Sequence, residues 1–190
     1  MPVSPAEPKI GSGRIAGREF FICDNLIDDE TIVDVAAFLN KLTYQRVEKS
    51  RPDTPVSGAS CEIPDSIILA PGGFFERIKA IAEEFFPQDK MRKLRAYVNS
   101  TVYGDMYYTH RDCAPELKDI TILYYANPNW DKEWGGETVY FDENYDAQAV
   151  ISIRPGRLVI ARGAILHRGG VPTPICREER RTIAYKLAVD

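Results

Sequence analysis

Two histidines and one aspartate are the residues of this chain best suited to chemistry. His110 and His167 are its only histidines, they lie 57 residues apart, and Asp112 follows the first by two positions. Two neutral imidazole nitrogens and one hard carboxylate oxygen suit a divalent iron ion. Together they can cap one face of an octahedron and leave the opposite face open. In a strand, residues i and i+2 point to the same side, so His110 and Asp112 are expected to project together while Arg111 points away. His167 follows an apolar strand at 157–161 and precedes Gly169-Gly170. An isolated His-x-Asp is common, and a single histidine on an apolar strand is more often an ordinary core or surface residue. The weight comes from finding all three in one domain.

His110-Arg111-Asp112 also spells the start of a protein-kinase catalytic loop. That loop needs an asparagine five residues after the aspartate to hold a second Mg²⁺, and position 117 is Leu117. No glycine-rich phosphate loop precedes a strand lysine either, so the kinase reading fails.

The 190 residues suit one domain with a sizeable core. Hydrophobic residues make up 44% and charged residues 27%, with a formal net charge of −4. The acidic balance and the absence of a basic stripe argue against a nucleic-acid partner. No run approaches the ~18 apolar residues of a membrane span, and the opening residues lack the apolar stretch of a signal peptide. The four cysteines, Cys23, Cys61, Cys113 and Cys176, form no CxxC pair. They read as free thiols of a cytoplasmic protein, Cys113 as small filler beside Asp112. Oligomeric state is not readable.

The elements that must position the trio are legible from pattern. Residues 1–17 read as a loose arm rich in Pro, Gly and Ser, 18–92 as a strand with supporting helices, and 93–190 as the core. A first strand is expected at 18–23. A helix capped by Asp28 or Asp29 follows, with Ile32, Val35, Ala36, Leu39 and Leu42 on one stripe. Residues 45–60 read as a long loop, either a lid or a plain connection. A second helix is expected from near Gly73 to Phe86, ended by Pro87. Beyond Lys93 the texture changes to short Val/Ile/Thr/Tyr-rich segments at 94–103, 106–112, 119–126, 137–141, 148–153, 157–161, 164–168 and 180–188, divided by turn signals such as Gly104-Asp105 and Pro155-Gly156. This predicts a mainly β (α+β) fold: a double-stranded β-helix of the jelly-roll or cupin-like kind, with the N-terminal helices packed on one face.

A ferrous triad needs an electron source to activate O₂, and 2-oxoglutarate is one. Its far carboxylate calls for a fixed cation, and arginine offers two parallel hydrogen bonds. Arg177, Arg180 and Arg181 lie downstream of His167. Arg181 is expected to open the last strand and be held by the sheet, while Arg177 and Arg180 read as solvated charges at a turn.

At this point the chain resembles the prolyl 4-hydroxylase-like branch of Fe(II)/2-oxoglutarate dioxygenases. The resemblance is carried by Tyr103-Gly104-Asp105 ahead of His110-x-Asp112, by 121–127 (TILYYAN), by Trp130 to Thr138 with Gly135-Gly136-Glu137, and by 154–160 (RPGRLVI). It covers roughly residues 94–188. It implies Fe(II) held by His110, Asp112 and His167, with 2-oxoglutarate and O₂ as cosubstrates. The 2-oxoglutarate carboxylate would be held by Arg181, with Tyr125, Thr121 and Leu123 on the same wall. The interval from His167 to Arg181 is longer than the family's usual spacing, which leaves Arg177 as an alternative. The family's aromatic residue late in the final strand is replaced here by Lys186-Leu187-Ala188.

A full triad implies hydroxylation, because halogenating relatives lose the carboxylate. Arg111, Arg168 and Tyr103 are candidate substrate contacts, with external salt bridges as the alternative for the two arginines. The expected reaction is hydroxylation of an unactivated C–H bond of a small molecule (an amino acid, a peptide-like or a natural-product intermediate), releasing succinate and CO₂. A prolyl residue of a polypeptide is the alternative substrate. A rival of another class is a non-catalytic jelly-roll module binding a metal or a sugar, with Trp130 and Trp134 as exposed platforms.

Overall fold

The computed structural model describes residues 6–190. Its first strand, β1 (Lys9–Ile15), pairs antiparallel with β2 (Arg18–Asp24) along its whole length. Residues 9–15 are therefore sheet and not the loose arm expected over 1–17, of which 1–5 lie outside the described residues. The signal was missing because β1 buries only Ile15. Its backbone bonds to the open edge of β2, and no apolar alternation is needed for that.

Helix α1 (Asp29–Leu39) is capped by Asp28, whose side chain accepts from the Thr31 amide at 2.8 Å. It buries Ile32, Ala36 and Leu39 from the expected stripe. The expected loop at 45–60 is shorter than its sequence suggested. Its ends form β3 (Gln45–Glu48) and β4 (Gly58–Glu62), an antiparallel edge pair, and only 49–57 is irregular. The charged, mostly exposed β3 has no periodicity to read. After a single turn, α2 (Asp65–Ile68), comes α3 (Phe74–Phe85), where the sequence placed it.

The remaining strands are β5 (Met91–Thr101), β6 (Ile120–Tyr125), β7 (Thr138–Phe141), β8 (Ala147–Ile151), β9 (Leu158–Arg162), β10 (Leu166–Gly169) and β11 (Arg180–Val189). With β1 to β4 they make an eight-stranded sheet, β1-β2-β9-β6-β11-β5-β4-β3, and a three-stranded sheet, β10-β7-β8. The expected strand at 106–112 is reduced to one antiparallel bridge, His110 to His167, which adds a fourth rung of chain beside β10.

Strand parity then sorts the side chains. On the large sheet, Ile122, Tyr124, Ile160, Ile183, Tyr185 and Leu187 face outward into one core, shared with Leu39, Phe75, Ile78 and Ala82 of the helices. Phe74 meets Tyr124 edge-on at 4.9 Å, and Phe75 meets Tyr185 at 5.2 Å. Each such side chain contributes about 1.5–3 kcal/mol when fully buried, so this interface fixes which face of β6, β9 and β11 must point the other way. That inner face packs Tyr125, Val159 and Ala161 against Tyr140, Ile151 and Ile165. The architecture is a jelly roll of two antiparallel sheets, with the helices on the outside of the larger one.

Candidate metal centre and its cavity

His110, Asp112 and His167 offer ligand atoms that all lie within 4.8 Å of one another. His110 and His167 exchange backbone hydrogen bonds at 3.0 and 2.9 Å. Directly opposed residues of an antiparallel pair project to one side, and the two rings stand 4.5 Å apart. Asp112 lies beyond the bridge, where its amide donates to the Gly163 carbonyl at 2.8 Å. A Cβ at Gly163 would sit 3.3 Å from that of Asp112, so glycine permits this approach. The aspartate is thus placed by a bend held on Gly163, and not by the strand periodicity expected from the sequence.

Both rings are oriented alike. His110 Nδ1 lies 2.9 Å from the Tyr108 carbonyl and His167 Nδ1 lies 3.0 Å from that of Ile165. A carbonyl only accepts, so each Nδ1 carries a proton, and each Nε2, the atom a metal would take, faces Asp112. The Nε2 atoms lie 3.5 and 3.7 Å from the carboxylate oxygens. Ligands ~2.1 Å from one ion at right angles are ~3 Å apart, so small rotations would close the set around a metal.

Burial pushes the His167 imidazolium down to about 4 and keeps that ring neutral, as a metal requires. Burial also opposes charge on His110, but the neighbouring carboxylate outweighs it and raises this histidine above its ordinary value. The Asp112 carboxyl would be raised by burial; the positive groups around it hold it well below the usual carboxylate range. Thr121 Oγ1 donates to Asp112 Oδ2 at 2.6 Å, and Lys186 Nζ donates to Oδ1 at 2.7 Å.

The trio opens onto a cavity with about 620 Å³ of empty space, part of it continuous with solvent, whose walls include Thr121, Leu123, Thr138, Tyr140 and Arg180. Arg180 is 3% exposed. Its Nε donates to the Gly136 carbonyl at 2.7 Å and its guanidinium nitrogens reach Thr138 Oγ1 at 3.0 Å and Thr182 Oγ1 at 3.4 Å. No carboxylate among the described residues pairs with it. A buried cation satisfied only by neutral oxygens is costly unless an anion completes it. Gly136, at φ +82°, leaves room that a Cβ would close to 3.0 Å from the Arg180 side chain.

The arginines therefore differ from their sequence reading. Arg180 is an inward-facing residue of β11, not a solvated turn charge. Arg181 has the opposite parity: it pairs with Glu179 at 3.0 Å, bonds Asn40 and lies over Tyr44 on the helix side. Arg177 lines a separate surface depression with Asn40 and Arg181. Neither borders the metal cavity.

Of the other expected residues, Thr121 and Leu123 are on the cavity wall. Tyr125 is fully buried just behind it, donating to Thr138 at 2.8 Å. Arg111 forms an ion pair with Glu143, Arg168 lies over the Phe141 ring at 5.6 Å, and Tyr103 is 62% exposed. None of the three borders the cavity. Trp130 and Trp134 pack edge-on against each other at 5.3 Å, and the Trp130 indole donates to Gly135, so neither is a free sugar platform. The sequence reading missed Thr138, Tyr140, Tyr97, Asn99 and Tyr107 on the wall, and Lys186 beside Asp112. Inward parity on β5, β7 and β11 was the available signal for most of them.

The described residues contain no helix long and apolar enough to cross a membrane. Residues 97–185 match the model of the 2OG-Fe(II) oxygenase superfamily. Among curated proteins none matches the chain in sequence. Solved structures similar in fold include a Trichoplax adhaerens prolyl hydroxylase in complex with a hypoxia-inducible-factor peptide fragment (TM-score 0.66, 15% identity, 89% of this chain and 83% of that one). A Pseudomonas putida prolyl-4-hydroxylase aligns with TM-score 0.64 and 14% identity over 89% of this chain and 91% of its own. The carbocyclase SnoK of nogalamycin biosynthesis, dependent on alpha-ketoglutarate, aligns with TM-score 0.65 and 14% identity over 90% and 79%.

Proposed function

Residues 97–185 of this chain are a 2OG-Fe(II) oxygenase domain, and from that premise we propose that the protein hydroxylates an unactivated C–H bond of a small molecule. Enzymes of this superfamily use Fe(II), 2-oxoglutarate and O₂, and the donor set here fits the metal: two imidazoles whose Nδ1 atoms are held by carbonyls and whose Nε2 atoms face one point, and a carboxylate kept ionised. Fe(II) with its cosubstrates supplies the oxidant, and succinate and CO₂ are the coproducts.

The chain's own residues bind, orient and shield. His110, Asp112 and His167 would hold the ion. Arg180 is the cation for the far carboxylate of 2-oxoglutarate, in place of Arg181 or Arg177. The observation that carries this is its buried guanidinium, which faces the metal cavity with hydroxyls for company and no acid. Thr138 and Tyr125 extend the donor wall behind it, and Leu123 and Ala184 supply apolar surface. Tyr140 packs on His167 at 5.5 Å and keeps water from that side of the ring.

The small-molecule reading rests on the loop at 49–57, which is tied to the segment leading into His110. Ser50 Oγ accepts from the Tyr108 amide at 2.9 Å and Arg51 donates to the Thr109 carbonyl at 2.7 Å, one residue from His110. A loop held this closely beside His110 favours a compact substrate over an extended chain laid past the metal ligands.

The test is succinate formation from Fe(II)-loaded protein across free amino acids, peptide-like metabolites and prolyl polypeptides, with Asp112→Ala as the blank. Substrate-dependent succinate with a small molecule, lost in the blank, is the expected result. Turnover confined to polypeptides would overturn the substrate class. Protein that binds neither Fe(II) nor 2-oxoglutarate would overturn the oxygenase reading itself.

A further inference from the structure

Lys186 opens the stretch Lys186-Leu187-Ala188 that stands where the resemblance leads one to expect an aromatic residue, and its side chain has a definite place. β11 sends Arg180, Thr182, Ala184 and Lys186 to the inner face, and Lys186 is registered against Thr121 of β6. Its stem lies beside Tyr97, with Nζ 5.4 Å from the ring centre, and its ammonium reaches Asp112 Oδ1 at 2.7 Å. The lysine side chain is 17% exposed and that of Asp112 4%. Among the described residues no other acid pairs with it. Thr121 holds the second oxygen of Asp112 at 2.6 Å, so both oxygens of one candidate ligand carry a donor, and one of those donors is a full positive charge.

We propose that Lys186 is a positioning and charge-setting residue for the metal site. It fixes the Asp112 carboxylate against β11 and cancels the one negative charge of the ligand set, so the site holds a divalent cation more weakly than the same three ligands would without it. This rests on the ferrous-site reading. The direction follows from charge: an ammonium hydrogen-bonded to a ligand oxygen repels a cation arriving at the same carboxylate, in surroundings that screen poorly. Loss of orientation acts the other way, but Thr121 still anchors Oδ2 when Lys186 is gone.

The experiment titrates the full-length chain with Co(II) in anaerobic buffer, following both affinity and the visible Co(II) spectrum. Lys186→Met, which keeps the length of the stem, is expected to bind Co(II) roughly tenfold more tightly as the charge repulsion is relieved, and to show an altered spectrum. Lys186→Arg is expected to restore both to the native values. Equal or weaker binding by Lys186→Met overturns the inference while leaving the metal site standing. A native chain that binds no Co(II) overturns the underlying reading along with it. Should Lys186→Met prove insoluble, Lys186→Gln with the thermal shift induced by Co(II) gives the same comparison, since a tighter site yields the larger shift at fixed metal.

Discussion

Replacing Arg180 with methionine separates binding from folding at this site. The guanidinium is buried, points into the metal cavity, lies over the Tyr125 ring and, among the described residues, hydrogen-bonds Gly136, Thr138 and Thr182 with no acid paired to it. Truncating one partner of a buried, hydrogen-bonded charge pair costs 2–5 kcal/mol or more in binding. Taking about 3 kcal/mol, the dissociation constant of 2-oxoglutarate rises about a hundredfold. Folding responds differently, because in the free protein the cation has no acid to lose. Removing it orphans the Gly136 carbonyl at about 1 kcal/mol and relieves the burial of an unpaired charge, which acts in the opposite direction. The melting temperature should therefore move by no more than about 4 °C. Calorimetric titration of 2-oxoglutarate into anaerobic Mn(II)-loaded protein measures the first quantity and a thermal melt the second. Arg181→Met and Arg177→Met are the controls and should leave the affinity untouched. If either control weakens 2-oxoglutarate as much as Arg180→Met does, the parity argument for β11 is wrong.

Two further outcomes follow from other contacts. Thr121→Val keeps the shape of the wall but removes the 2.6 Å hydrogen bond to Asp112. Metal affinity should fall ~10-fold with the fold retained, as read by Co(II) titration and circular dichroism. Far from the cavity, Asp24 binds Arg157 through both oxygens at 2.7 and 2.8 Å, and this hydrogen bonding, helped by Arg154, depresses its pKa. A depressed carboxyl adds stability above its unfolded pKa of ~3.9, and that stability is lost as the pH falls from there toward the folded value. Asp24→Asn should cost about 2 kcal/mol in urea unfolding at pH 7 and flatten the decline below pH 4; an unchanged acid limb would show that the pair contributes nothing.

The triad, the helices and most strands were legible because each has a local cause: a ligand pattern, a capping aspartate, a 3.6-residue stripe or a run of β-branched residues between turns. What escaped notice shares a different cause. β1 and β3 are edge strands whose pairing is backbone to backbone, so their side chains carry no period. Arg180 and Arg181 are neighbours of one type, and only the register of β11 decides which faces inward. Ile183, Tyr185 and Leu187 already announced the helix-facing parity, which assigns Arg181 to the outside, but the charge at 180 looked like part of the preceding turn. Lys186 shares the inner parity of Arg180 and was noticed only as a missing aromatic. Long-range pairing of an ammonium with Asp112, 74 positions away, has no sequence signature.

The reciprocal amide bonds between His110 and His167 form a two-residue clasp, bonded at 3.0 and 2.9 Å. Nothing else of sheet type secures the chain on the His110 side, since the bridge stands alone. Opening that clasp exposes both amides in one event, while β7 still holds His167 from the other side, so the two backbone protons should exchange with deuterated solvent at a shared rate. An occupant seated between the rings would slow both together, which turns this single rung into a built-in reporter of occupancy, readable without turnover.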